Sequence, residues 1–281
     1  MLEIAVTPRG PYSLALSARF SSDATRLFRD GVFTVRYGGE IARARQSADG
    51  TVTIRAGSVA AAEKLRWVLA IDDDHSEFLR RFRDDPLIGR ATVHLSGLRP
   101  VRTATVAQAL LRAVCGQLID SKTARAHERR VIRSLSPPEP DGLCEPPTTD
   151  MLGALAPYEL RRLGLNERRG AALVRLCRSV ELERLHDVPT EQVVARIERE
   201  RGLGPWSAGV VCLEGLGRYE HGLVGDLGLV KYLRAARGRE VETWETAELL
   251  EPYGEWAGLA SVYFLLGSGR GLVPIATDIA A

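Results

Sequence analysis

The chain lacks closely paired cysteines, a long apolar run and a strong net charge. Among 281 residues there are four cysteines, Cys115, Cys144, Cys177 and Cys212, with no short paired spacing between them. This argues against a zinc site or a cysteine-ligated iron–sulfur cluster and implies reduced, mostly buried thiols. Residues Met1 to Pro8 lack a basic segment followed by an apolar one, and no later apolar run approaches membrane-spanning length. Cytoplasmic, nucleoid-associated residence without membrane contact is the expectation. No repeat period or low-complexity tract is present. Strong net charge is also missing, the formal value being +2, but an average can hide a patch.

What is present is a chain of 45% hydrophobic content, long enough for one large core or two modest ones. Its charge is unevenly placed. Arg161, Arg162, Arg168, Arg169, Arg175 and Arg178 fall within one short stretch against the single acid Glu167, whereas Asp72, Asp73, Asp74, Asp84 and Asp85 make the preceding region acidic. A nucleic-acid surface is therefore expected in the second half, with a solvated arginine-rich helix face as the plain alternative.

The first hundred residues read as mixed α and β. Residues 12–20 and 51–55 alternate apolar and polar residues, and 32–37 are rich in strand formers, suggesting an antiparallel sheet with one buried face. Helical composition follows over 59–69 and 76–84. From Thr105 the pattern is helix after helix, interrupted by a proline-rich loop at 136–142. The expected fold is α+β: an N-terminal α+β domain over 1–100, then an all-α domain over 101–281.

Two features of the second half carry chemistry. Gly202-Leu203-Gly204-Pro205-Trp206-Ser207-Ala208 places two glycines before a helix with proline in its first turn, and Asp226 follows 22 residues after Gly204 within an apolar segment. Such a turn leaves backbone N–H groups free for a phosphate, though Gly-x-Gly also serves as a simple helix–helix turn. An unpartnered carboxylate in an apolar setting is costly. Asp226 can cap the helix that begins near Gly228, it can act in catalysis, and the two roles are compatible.

The turn resembles the helix-hairpin-helix motif of the base-excision DNA glycosylases, Leu-Pro-Gly-Val-Gly followed by two residues and Thr-Ala. Arg201 replaces the proline and Ser207 the threonine. The segment around Asp226, with Leu229 and Lys231, is similar to the one that carries the family's catalytic aspartate. The resemblance implies that the carboxylate stabilises the oxocarbenium-like sugar formed as the N-glycosidic bond breaks and orients or deprotonates water. In members that also cleave the strand, a lysine stands where this chain has Trp206, and tryptophan cannot form a Schiff base. The chain is thus similar to monofunctional enzymes, specifically the bacterial DNA-3-methyladenine glycosylase II group. The implied activity is release of alkylated purines from double-stranded DNA by a monomer that needs no cofactor, with a structural monovalent cation held by the hairpin carbonyls as a further implication.

The resemblance also implies roles for other residues. Gln117 and Leu118 match the segment whose leucine fills the gap left by an extruded base; core packing is the other role open to Leu118. Gly202, Leu203, Gly204 and Ser207 would hold the DNA backbone, with Arg168 and Arg169 beside them. Trp206 either stacks on the extruded purine, worth about 1–3 kcal/mol, or is a core aromatic. The group often has aromatic residues at the positions of Val210 and Leu265, so the base pocket departs from the pattern, and Tyr263, Phe264 or Trp256 are the other candidates to line it. Two further readings stand beside this one: a non-catalytic module recognising DNA structure, and a glycosylase for an oxidised or deaminated base.

Overall fold

In a computed structural model that describes residues 1–274, the chain opens with an antiparallel sheet of order β1-β5-β4-β3-β2. Its strands are β1 (Leu2–Val6), β2 (Arg26–Arg29), β3 (Val32–Tyr37), β4 (Glu40–Gln46) and β5 (Val52–Ala56). The side-chain period of two puts Phe33 and Val35, Ala42 and Ala44, and Val52, Ile54 and Ala56 on one buried face. The register sets large residues against small ones, Phe33 and Ile54 both opposite Ala44. Helices α1 (Leu14–Ala18) and α2 (Val59–Val68) cover that face, with Leu14, Ala18, Ala62, Leu65 and Val68 joining its core. Each large apolar side chain so buried contributes about 1.5–3 kcal/mol.

The alternation over residues 12–20 predicts a strand, and the structure has α1 there instead. Ser13 caps it by accepting from Leu16 N at 3.2 Å, and Leu14 and Ala18, one helical turn apart, are the buried pair.

After α3 (Ser76–Arg81) and α4 (Gly89–His94), the described chain is helical: α5 (Val106–Gly116), α6 (Ser121–Leu135), α7 (Thr149–Ala154), α8 (Pro157–Arg162), α9 (Glu167–Ser179) and α10 (Thr190–Glu198). Then come α11 (Pro205–Val210), which continues as a π-helical stretch over Val211–Gly215, and α12 (Leu227–Arg237), α13 (Glu245–Leu250) and α14 (Ala257–Ser268). Residues from α5 to α11 form one core, in which Cys115, Cys144, Cys177 and Cys212 are buried as free thiols. A second helical core joins Phe78, Ile88 and Leu95 to Leu229, Tyr253, Tyr263 and Phe264, so α3 and α4 pack with the last helices. No helix among the described residues is long and apolar enough to cross a membrane.

A small cluster of Ala113, Val210, Leu213 and Leu223 bridges α5, α11 and the segment before α12, with Trp206 and Leu265 packed on it. Of these, Val210 and Trp206 line the cleft described next.

Candidate active site

The hairpin consists of α10, a turn through Gly204, and α11. Gly202 has φ +101°, a conformation that side chains resist, whereas Gly204 is extended at φ −136°. Leu203 is buried in the helical core and anchors the turn. Pro205 takes the first position of α11, where its missing N–H costs nothing.

Gln117, just past α5, ties this turn to the loop beside it. Its Nε2 donates to Gly202 O at 2.8 Å and to Ser207 Oγ at 3.1 Å. The next residue, Leu118, stands in the left-handed region at φ 55° with 73% of its surface exposed. A bulky apolar side chain held there costs about 1–3 kcal/mol in backbone strain. An exposed leucine makes no packing gain to offset that cost, so its core-packing role is excluded by its position.

Asp226 caps α12, Oδ1 accepting from Gly228 N at 2.7 Å, and its Oδ2 accepts from Trp206 Nε1 at 3.0 Å. Both oxygens are thereby oriented, and each keeps further acceptor capacity. Close packing fixes the arrangement. A Cβ on Gly228 would lie 2.4 Å from Leu265 Cδ2 and 3.0 Å from Asp226 Oδ1, and one on Gly116 would lie 2.6 Å from the Trp206 ring. The indole is thus wedged between the end of α5 and the carboxylate.

One cleft of about 920 Å³ is lined by Gln117, Leu118, Arg168, Arg169, Gly202, Gly204, Trp206, Ser207, Val210 and Asp226. Of the arginine run, Arg168 and Arg169 reach it, while Arg175 pairs with Glu200, and Arg178 donates to the carbonyls of Gly153 and Leu155. Arg125 and Lys231 add further positive charge to the walls.

Five candidate residues lie elsewhere. Leu203 is in the core. Tyr263 is fully buried, its hydroxyl donating to Leu95 O at 3.0 Å and its ring 5.0 Å from Phe78, so it is a structural aromatic and not a pocket wall. Leu265 is half-buried behind the Asp226 cap, against Gly228, and does not line the cleft. Phe264 is likewise in the core, and Trp256 lines a different cavity with His75 and Tyr219.

The cleft also holds charged residues that the sequence reading missed: Arg112, Glu128 and Glu214. Arg112 Nη2 contacts Asp23 Oδ2 at 2.6 Å and Glu128 Oε1 at 2.9 Å, and its Nη1 donates to Glu214 Oε2. Arg26 shares Asp23 from the sheet side. Burial pulls the Arg112 pKa down, but Glu128, Glu214 and Asp23 outweigh it and hold the group well above its ordinary value. Burial likewise opposes ionisation of Asp23, and Arg26 and Arg112 reverse the balance and hold its pKa below 3.8. The visible sequence signal was Glu214 itself, an acid in the otherwise apolar run from Val210 to Leu216.

No family model matches the sequence. Among curated proteins, the chain is 24% identical over 203 residues to a DNA-3-methyladenine glycosylase of Bacillus subtilis, covering 69% of this chain and 67% of that protein. It is 26% identical over 173 residues to a probable bifunctional transcriptional activator/DNA repair enzyme AlkA of Mycobacterium tuberculosis, 60% of this chain but 35% of that protein. Among solved structures, a 3-methyladenine DNA-glycosylase from Archaeoglobus fulgidus superposes with a TM-score of 0.81 at 18% identity, covering 95% of this chain and 98% of that one. An 8-oxoguanine glycosylase/lyase from Clostridium acetobutylicum bound to double-stranded DNA superposes with a TM-score of 0.78 at 14% identity, covering 96% and 99%. The fold is the one these DNA glycosylases share.

Proposed function

We propose that this chain, a member of the helix-hairpin-helix DNA glycosylases, is a monofunctional base-excision repair enzyme that hydrolyses the N-glycosidic bond of alkylated purines and leaves an abasic site. The observation that carries the reading is that Asp226, bonded to Trp206 Nε1, shares one cleft with the glycine turn and the exposed Leu118. A cap alone requires no such company.

In this reading the duplex backbone lies along the turn, Arg168, Arg169 and Lys231, through contacts that carry no sequence information. Leu118 enters the stack as the damaged nucleotide leaves it. Its strained backbone presents the side chain before DNA arrives, so less ordering is needed on binding. The extruded sugar sits over Asp226. As the bond breaks, its electron pair stays with the base, positive charge builds on the deoxyribose, and the carboxylate stabilises it while water adds to the anomeric carbon. The proton released passes to Asp226 or solvent. A monovalent cation at the hairpin would find the Gly202 carbonyl already accepting from Gln117 Nε2, and no step depends on it.

The test is release of free base from duplexes carrying 3-methyladenine, 7-methylguanine, hypoxanthine or 8-oxoguanine, with borohydride added in parallel. Methylpurine release without a trapped protein–DNA adduct is expected. Release of 8-oxoguanine alone would replace the substrate, and an adduct would replace the monofunctional assignment, with Lys231, the lysine on the cleft wall, the first residue to substitute. A chain that binds every duplex and releases nothing would be a non-catalytic DNA-binding module.

A further inference from the structure

We infer that Glu214 is a specificity-determining residue through which the cleft prefers a positively charged base over a neutral one. The inference rests on the glycosylase reading above. Trp206, Val210 and Glu214 follow one another at intervals of four residues along α11 and its π-helical continuation, and all three line the cleft that holds Asp226. Trp206 is beside the carboxylate, Val210 is the short residue beyond it, and Glu214 is the polar group next along the same wall. π-Helical insertions are frequent at functional sites because they re-aim side chains. Here the backbone of Glu214 is pinned from outside the helix, its carbonyl accepting from Thr103 N at 2.8 Å and Thr103 Oγ1 at 3.0 Å.

Charges at this end of the cleft balance, and Glu214 is the carboxylate among them that is part-exposed on the cleft wall. Three guanidinium groups, Arg112, Arg26 and Arg125, stand among three carboxylates, Asp23, Glu128 and Glu214, with Arg125 on the cleft wall donating to Ser22 O at 3.5 Å. Asp23 and Glu128 are buried, with side chains 4% and 2% exposed, whereas Glu214 keeps 27% of its side chain exposed. One of its oxygens accepts from Arg112, and the other makes no hydrogen bond within the described residues. A carboxylate oxygen with no hydrogen bond is therefore available where Glu214 lines the cleft. The cations Arg168, Arg169 and Lys231 lie on the more open walls, where phosphates would meet them.

A purine alkylated at a ring nitrogen and still attached to its sugar carries a positive charge. Hypoxanthine and 8-oxoguanine do not. When the glycosidic bond breaks, the electron pair neutralises the departing base, and positive charge passes to the sugar beside Asp226. Glu214 thus attracts the bound substrate more than the transition state, and its contribution is to binding of the charged lesion. Asp226 has the opposite weighting.

Single-turnover excision by Glu214→Gln distinguishes these roles. The half-saturating enzyme concentration for 7-methylguanine DNA is expected to rise about tenfold, with the maximal rate unchanged or raised, and neither value should move more than about twofold for hypoxanthine DNA. Glu214→Asp, which keeps the charge, is expected to keep the preference, and it serves as the independent variant if the amide destabilises the Arg112 cluster. Equal shifts on charged and neutral lesions, no shift on either, or loss of the preference in Glu214→Asp would overturn the inference. A parent enzyme that releases no base would instead defeat the glycosylase reading beneath it.

Discussion

Replacing Asp226 by asparagine and, separately, by alanine divides its two tasks. Asparagine caps a helix about as well as aspartate, so the bond to Gly228 N survives. An amide has one carbonyl oxygen, however, and its NH2, a donor, takes one of the two acceptor positions that Gly228 N and Trp206 Nε1 now use. One lost hydrogen bond costs about 1 kcal/mol. Alanine loses the second bond and the cap, for a total of about 2–3 kcal/mol. At about 2–4 °C per kcal/mol for a chain approaching this size, asparagine should lower the melting temperature by a few degrees and alanine by two or three times as much. Catalysis should not follow that order. Two unit charges about 4 Å apart attract by about 4 kcal/mol at an effective dielectric near 20, and about 1.4 kcal/mol is a factor of ten in rate. Both variants should therefore release methylpurines about a thousandfold more slowly, while binding abasic-site DNA within about threefold of the parent. Single-turnover release, thermal unfolding and fluorescence anisotropy measure the three quantities. If Asp226→Asn keeps more than about a tenth of the parent rate, Asp226 is a cap and the proposed chemistry is wrong.

Two further outcomes separate stability from function elsewhere. Leu118→Gly relieves the left-handed strain at φ 55° and removes an exposed apolar side chain, so stability should hold or rise by up to about 1 kcal/mol; release from paired duplexes should fall at least about tenfold, and a variant that keeps the parent rate would remove Leu118 from the extrusion step. His75 is nearly enclosed, edge-on to Tyr219 at 4.9 Å, and burial pushes its pKa down to about 4 despite the opposing charge of Asp73. The unfolded chain takes up this proton near pH 6.5 and the folded chain only near 4, so the contribution is intact above pH 6.5 and is lost as pH falls through that window, amounting to about 3 kcal/mol at its lower end. Denaturant unfolding between pH 7 and 4 should show a smaller slope in His75→Phe than in the parent, the remainder including His186 and His127, whose pKa values burial also lowers; equal slopes would refute the assignment.

The sheet was legible where its strands alternate cleanly. β3 and β5 stand out, but β2 buries Arg26 and exposes Leu27, which inverts the period of two, and β4 builds its buried side from Ala42 and Ala44, whose small side chains are a weak strand signal. Residues 12–20 failed for a related reason. Over so short a span, apolar residues at 14, 16 and 18 fit a strand's alternation and a helical turn's i, i+4 pair equally well, and only the cap at Ser13 tips the balance. The second half was easier because its helices carry their own start signals: Asp120 and Asn166 as caps, and proline in the first turn at Pro157 and Pro205. The helical phase of α14 was not readable. Alanine, leucine, tyrosine and phenylalanine surround that helix on every side, so no polar stripe indicates which residues face the cleft, and Tyr263 was placed on the wrong face.

The cleft itself was half legible, and the missing half follows from one physical criterion applied unevenly. Asp226 drew attention because a carboxylate among apolar residues needs a partner or a task. Glu214 satisfies the same criterion, standing after Val210, Val211, Cys212 and Leu213. What conceals it is that its partner, Arg112, lies 102 residues away on α5, whereas Asp226 follows within 24 residues of the glycine turn it serves. Local spacing can nominate a site built from one supersecondary unit. It cannot nominate a charge cluster assembled from Asp23, Arg26, Arg112, Glu128 and Glu214, because its members are scattered along the chain and meet only in the fold. If the two acids act as argued, one on the charge of the bound base and the other on the charge that appears on the sugar, the cleft transfers a positive charge from Glu214 towards Asp226 during bond cleavage. The double variant Glu214→Gln, Asp226→Asn should then show independent losses, in binding and in rate respectively, because each carboxylate faces the charge at a different stage of the reaction.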